Sequence, residues 1–165
     1  MPAALFLGLL VLALAVSNRS HAATSVATVG DSLAVGVGSV APSTWLQLGR
    51  TGTRAAQWLA QGWWADALAR VGRSGVLVAS LGTNDIRAGA RAVELAAVLS
   101  NLQEAADNAG VRVVWISVAN KYDTLPAFTV LGLPHIRIAG ALTPDGVHLT
   151  VAGYKTAASQ AMRRV

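Results

Sequence analysis

The chain of 165 residues has no cysteine. That excludes disulfide staples, thiolate zinc sites and a cysteine nucleophile, so the fold must be held by its core and any covalent chemistry must come from another side chain. Charge is scarce as well, at 13% of residues, and acid scarcer than base: eight Asp and Glu against 13 Lys and Arg, a formal net charge of +5. Eleven of those 13 are arginines, scattered with no basic run beside aromatic residues, which argues against a nucleic-acid groove. The excess predicts at most a weak affinity for anionic envelope surfaces. No carboxylate–histidine cluster has metal-ligand spacing, so neither a metal nor an organic cofactor is expected. Nothing in the chain marks an obligate protein partner.

Apolar residues are plentiful, at 53% of the chain, enough to bury the core of one domain. Part of the excess lies in an unbroken apolar run from Ala3 to Val16. A bilayer span needs about 20 such residues, so the run suits the core of a signal peptide better. Ser20 and Ala22 supply small residues at the third-last and last positions before a cleavage site. The prediction is a signal peptide over 1–22, a single domain over 23–165, and a secreted or periplasmic protein. No Lys or Arg precedes the run, which leaves an uncleaved N-terminal anchor as the alternative.

Past the leader, short β-branched runs alternate with segments of helical period. Strands are predicted at Ser25–Val29, Trp45–Leu48, Gly75–Leu81, Val111–Val118 and Ile136–Ile138. Helices are predicted at Leu33–Val40, Arg54–Arg70, Ala90–Asn108 and, capped by Thr150, Val151–Arg163. This alternation implies an α/β fold, a three-layer α/β/α sandwich around a parallel sheet of about five strands. Pro126 and Pro134 interrupt 120–144 and leave little room there for a full crossover helix. Gly36-Val37-Gly38-Ser39-Val40-Ala41 matches a dinucleotide fingerprint, yet no acidic residue follows at the required distance. Trp63-Trp64 reads either as a sugar-stacking platform or as core and rim packing.

Three motifs fall at predicted strand ends, where sites lie in parallel sheets. Gly30-Asp31-Ser32-Leu33 places a hydroxyl at a strand-to-helix turn, although Ser32 alone also reads as a helix N-cap and Asp31 as a capping or loop-fixing carboxylate. Gly82-Thr83-Asn84-Asp85 places the Asn84 amide after the clearest strand; by itself it is also a good turn. Asp145-Gly146-Val147-His148 sets a carboxylate three residues before an imidazole, a spacing that suits orientation of the ring. The alternative is a Pro-Asp-Gly turn with an incidental histidine. Gly52, in the loop 49–53, offers a backbone N–H at close range, or is a plain turn glycine. Taken together they supply a nucleophile, a base with its orienting acid, and donors for an oxyanion: the parts of an acyl-transfer site.

These blocks resemble those of the SGNH (GDSL) hydrolases. Gly30–Leu33 is similar to the nucleophile block, Gly82–Asp85 to the asparagine block and Asp145–His148 to the acid–base block. Gly52 is the likeliest match to the glycine block, with Gly49 in the same loop as its rival. The resemblance spans 26–154 and implies a flavodoxin-like sheet and ester hydrolysis. It implies Ser32 as nucleophile, His148 as base and Asp145 as its orienter. The oxyanion hole would be the Ser32 and Gly52 N–H groups with the Asn84 side chain. The segment before Asp145 is short relative to the family, leaving little material for a deep acyl tunnel. The expected activity is therefore an exported serine esterase for short acyl, such as acetyl, esters of carbohydrates or small alcohols. A lysophospholipase or thioesterase-like lipid ester hydrolase is the alternative within that chemistry, and a non-catalytic glycan- or lipid-binding module the alternative outside it.

Overall fold

The computed structural model describes residues 25–165, and the predicted signal peptide lies outside the described residues. Five runs of mostly aliphatic residues form one sheet: β1 (Val26–Gly30), β2 (Leu46–Gln47), β3 (Val76–Ser80), β4 (Arg112–Val118) and β5 (His135–Ile138). The order is β2-β1-β3-β4-β5, parallel at every pairing. β1 and β3 are buried along their whole length, as expected of central strands covered on both faces.

Among the described residues seven helices complete the layers: α1 (Ser32–Val40), α2 (Ala55–Ala60), α3 (Trp63–Val71), α4 (Thr83–Arg87), α5 (Ala92–Ala109), α6 (Leu125–Leu131) and α7 (Val151–Met162). Alternation along the strands divides the core in two. Ala27, Val29, Leu77, Ala79 and Trp115 pack with side chains of α2, α3, α5 and α6. Val26, Val76, Val78, Val114 and Ile116 pack with Leu33 and Val37 of α1 and the alanines of α7. The first layer holds most of the large aromatics: Trp64 stacks on Trp115 at 5.8 Å, and Trp115 meets Phe128 at 5.8 Å. Each of these rings is at least 99% buried and stabilises the fold by about 1.5–3 kcal/mol or more. The sheet is the predicted three-layer α/β/α sandwich with five parallel strands.

Three segments differ from the sequence expectation. The predicted helix 54–70 is broken into α2 and α3, because Gly62 adopts φ 69°, a left-handed conformation that ends one helix and opens the next. Thr83–Arg87 is a short helix rather than a loop. The 120–144 stretch does hold a helix, α6, because Pro126 falls in its first turn, where a missing N–H costs nothing. The Gly36/Gly38 pattern is explained by packing. A Cβ on Gly36 would stand 2.2 Å from the Tyr154 ring, and one on Gly38 2.7 Å from Thr28 Oγ1. Among the described residues no helix is long and apolar enough to cross a membrane.

Candidate active site

All the candidate residues gather at the carboxyl ends of the strands. Ser32 opens α1 after β1, Gly52 follows β2, Asn84 follows β3, and Asp145 and His148 follow β5. All five, with Arg87, Lys121 and Tyr122, line a cleft of about 350 Å³ around Ser32. Gly49 is not part of that lining. A Cβ there would press on Val35 of α1, whereas Gly52 has nothing within 4 Å where a side chain would stand. Of the two glycines, the structure puts Gly52 beside the serine.

The turn carrying Ser32 is made by its neighbours. Gly30 has φ 131°, and a Cβ on it would lie 1.9 Å from the Ser80 carbonyl oxygen, so only glycine lets β1 run so close to the end of β3. The Asp31 N–H then donates to that carbonyl at 3.0 Å. The helix cap is Asp31 rather than Ser32: its Oδ1 accepts from the Leu33 N–H at 3.0 Å. The Ser32 hydroxyl is thereby left for another partner, His148 Nε2, at 3.0 Å.

Behind the imidazole, Nδ1 lies 2.6 Å from Asp145 Oδ2. Asp145 Oδ1 accepts from the Thr143 hydroxyl at 2.7 Å, the Val147 N–H at 2.8 Å and the His148 N–H at 3.0 Å. The His148 hydrogen bond, followed by those of Thr143 and the two backbone groups, holds the Asp145 carboxyl well below the usual carboxylate range. With Asp145 ionised, Nδ1 is the donor and Nε2 carries the lone pair that faces the serine hydroxyl. The arrangement can draw the proton from Ser32 as its oxygen attacks, while Asp145 stabilises the resulting imidazolium.

Asn84 does two things. One N–H of its amide donates to the Thr53 carbonyl at 3.0 Å, tying down the loop that carries Gly52, and its second N–H is left for the cleft. The same loop is held by residues the sequence did not single out. Asp85 Oδ2 accepts from the Ala55 N–H at 2.8 Å, and the Thr53 hydroxyl accepts from Trp58 Nε1 at 3.0 Å. Asp85 sat inside the asparagine motif, but nothing local marked its partner, 30 residues earlier. Thr143 was equally unmarked, although a hydroxyl two residues before a loop aspartate is a recognisable turn pattern. Trp64 is fully buried and Trp63 lies under the Arg50 guanidinium at 4.4 Å, which favours packing over an open sugar platform. Among the described residues no three His, Asp or Glu side chains are grouped as for a metal ion.

Two buried carboxylates flank this chemistry, and both are shifted upwards. Asp31 is fully buried, and its Oδ2 has no hydrogen-bond partner. Burial pushes it up from 3.8 to about 7, the Leu33 N–H opposing, with Asp85 adding to the rise and His148 countering it. Burial likewise raises Asp85, against the Ala55 N–H.

No family model matches the chain, and no curated protein sequence does. Solved structures match it closely in shape. A GDSL-like lipase from Bacteroides thetaiotaomicron superposes with a TM-score of 0.67 at 17% identity, over 86% of this chain and 88% of the other. A carbohydrate esterase family 3 protein from Talaromyces cellulolyticus gives 0.61 at 17%, over 85% and 95%. A catalytic mutant of an acetylxylan esterase from Geobacillus stearothermophilus gives 0.63 at 15%, over 86% and 93%. With its strand order, its two helical layers and its motifs at the strand ends, this chain has the fold of the SGNH (GDSL) hydrolases.

Proposed function

We propose that the protein is a carboxylic ester hydrolase working through an acyl-Ser32 intermediate. The observation that carries this reading is the continuous relay from Ser32 Oγ through His148 to Asp145, at 3.0 and 2.6 Å. Ser32 Oγ bonds to the ester carbonyl carbon while its proton passes to His148 Nε2. The carbonyl oxygen becomes an oxyanion, received by the Ser32 and Gly52 N–H groups and the free N–H of Asn84. The carbon–oxygen bond to the alcohol then breaks, and the alcohol leaves with the proton from His148. In the second half, His148 takes a proton from water, the hydroxyl adds to the acyl carbon, and Ser32 departs with that proton. The net result is ester plus water to acid plus alcohol.

Short acyl groups, acetyl above all, suit the cleft. Of the side chains around it only Val147 and Tyr122 are mainly apolar, too little to bury a long chain at ~0.8 kcal/mol per CH₂. That counts against a lysophospholipase-like preference. Acetyl esters of carbohydrates or small alcohols are the substrates we infer, in line with the acetylxylan and carbohydrate esterases among the structural neighbours. With the apolar run and small residues of 1–22, we read the enzyme as exported, which N-terminal sequencing of the protein outside the cytoplasm tests.

Hydrolysis of p-nitrophenyl acetate, wild type beside Ser32→Ala, tests the reaction. Saturable turnover lost by about 10⁴-fold or more in the variant is expected. Equal background rates in both would overturn the esterase in favour of a binding module.

A further inference from the structure

The cleft at Ser32 continues past Gly52 and Asn84 into an adjoining hollow of about 300 Å³, which Arg54, Arg87 and Ala88 complete. Arg87 borders both spaces. It stands three residues after Asn84 in the short helix α4, a spacing that puts the two on one side of the helix. Lys121 borders the cleft after β4 and donates from Nζ to the Asp145 carbonyl at 2.8 Å. All three cations are exposed. Among the described residues neither Arg54 nor Arg87 forms an ion pair with a carboxylate. The acids nearby balance them only in part: Asp145 is engaged by His148, Asp31 is buried, and Asp85, buried and bonded to the Ala55 N–H, feels the Arg54 charge through space without pairing to it.

We propose that this cleft selects esters whose alcohol part carries a fixed anion, such as the carboxylate of an acidic saccharide, held by Arg54 and Arg87. The proposal rests on Ser32 being an ester-cleaving nucleophile. The anion belongs to the alcohol, because a short acyl group fills only the space at Ser32 and a group reaching the adjoining hollow must come from the other side of the ester. Guanidinium groups suit this task, since their planar fork pairs with both oxygens of a carboxylate. The cations also raise the local concentration of anionic substrate in a low-salt medium. Lys121 borders the same cleft and strengthens the field without a matching fork.

The test compares kcat/KM for para-acetoxybenzoate with that for its neutral methyl ester. The anionic ester is expected to be preferred about five-fold at low ionic strength, an exposed charge pair being worth no more than that. The preference shrinks towards one in about 0.5 M salt. Arg87→Gln lowers the ratio and Arg54→Gln/Arg87→Gln brings it to about one. Arg164→Gln, which removes one positive charge near the chain's far end, leaves it unchanged. Equal turnover of both esters by the wild type overturns the anion subsite while leaving the esterase intact, as does an equal fall in the ratio with Arg164→Gln. Absence of turnover above Ser32→Ala overturns the esterase instead. Calorimetric titration of Ser32→Ala with trigalacturonate then decides the subsite separately: saturable binding lost in Arg54→Gln/Arg87→Gln supports it, and no binding overturns it.

Discussion

The two sides of the cleft are held by opposite means. The Ser32 side is built outward from the core: Gly30 pressed against Ser80, Asp31 fully buried, Leu33 of α1 packed into the core. The His148 side is an exposed loop that holds itself together, with Thr143, Val147 and His148 all bonded to Asp145. Its anchors to the rest of the molecule are few, among them Asn120 Nδ2 donating to the Val147 carbonyl at 3.1 Å and Lys121 donating to that of Asp145. The two aspartates show the consequence: burial raises Asp31, while an exposed nest of donors lowers Asp145. A serine must be placed by rigid backbone, since its side chain has one short bond of freedom. An imidazole is placed well enough by a turn, provided a carboxylate fixes its orientation.

Removing the orienting charge should have the largest effect. Asp145→Asn is expected to lower kcat by roughly 10²- to 10⁴-fold with little change in Tm, because an amide favours the wrong imidazole tautomer while the exposed loop adds little to the core. A large drop in Tm would show that the loop is part of the structural frame after all. Next, Asn84→Ala should cost kcat about 10²- to 10³-fold, and because it also frees the Thr53 carbonyl, a modest loss of stability should accompany it. An unchanged kcat would remove Asn84 from the oxyanion site. Thr143→Val keeps the shape of the side chain but takes one donor from Asp145. About a ten-fold fall in kcat, with unfolding unaltered, is expected from a hydrogen bond to a charged group, and steady-state kinetics beside thermal melts would show it.

The smallest catalytic effect but the clearest pH effect belongs to Asp31. The folded chain keeps its proton up to about 7, whereas an unfolded aspartate releases it near 4. Between those values the folded state binds more protons than the unfolded one, so stability falls as pH rises across the window and levels off above it. Asp31→Asn, neutral throughout, should flatten that decline and melt higher than wild type at pH 8. Parallel melting curves of the two chains from pH 4 to 8 would place the protonation elsewhere, with Asp85 the nearest alternative.

Legibility in the sequence followed the same division. The acid–base turn was readable because its bonds span three residues or fewer, and β1, β3 and β4 because buried parallel strands appear as continuous aliphatic runs. The break at Gly62 was missed because an alanine-rich period continues through it, and α6 because proline in a first turn looks like a breaker in linear sequence. Asp31 as the cap, rather than Ser32, was one of two readings that only geometry could separate.

The chain by itself determined the alternation of strands and helices, the three motifs and the carboxylate–imidazole turn, since these follow from local spacing and side-chain chemistry. Only the tertiary structure decided that Ser32 meets His148 across 116 residues, that Gly52 rather than Gly49 lines the cleft, that Asp85 ties down its loop, and that Arg54 and Arg87 flank it. Such distant meetings depend on strand order and helix packing, which are set by the burial of the whole core and not by any one segment.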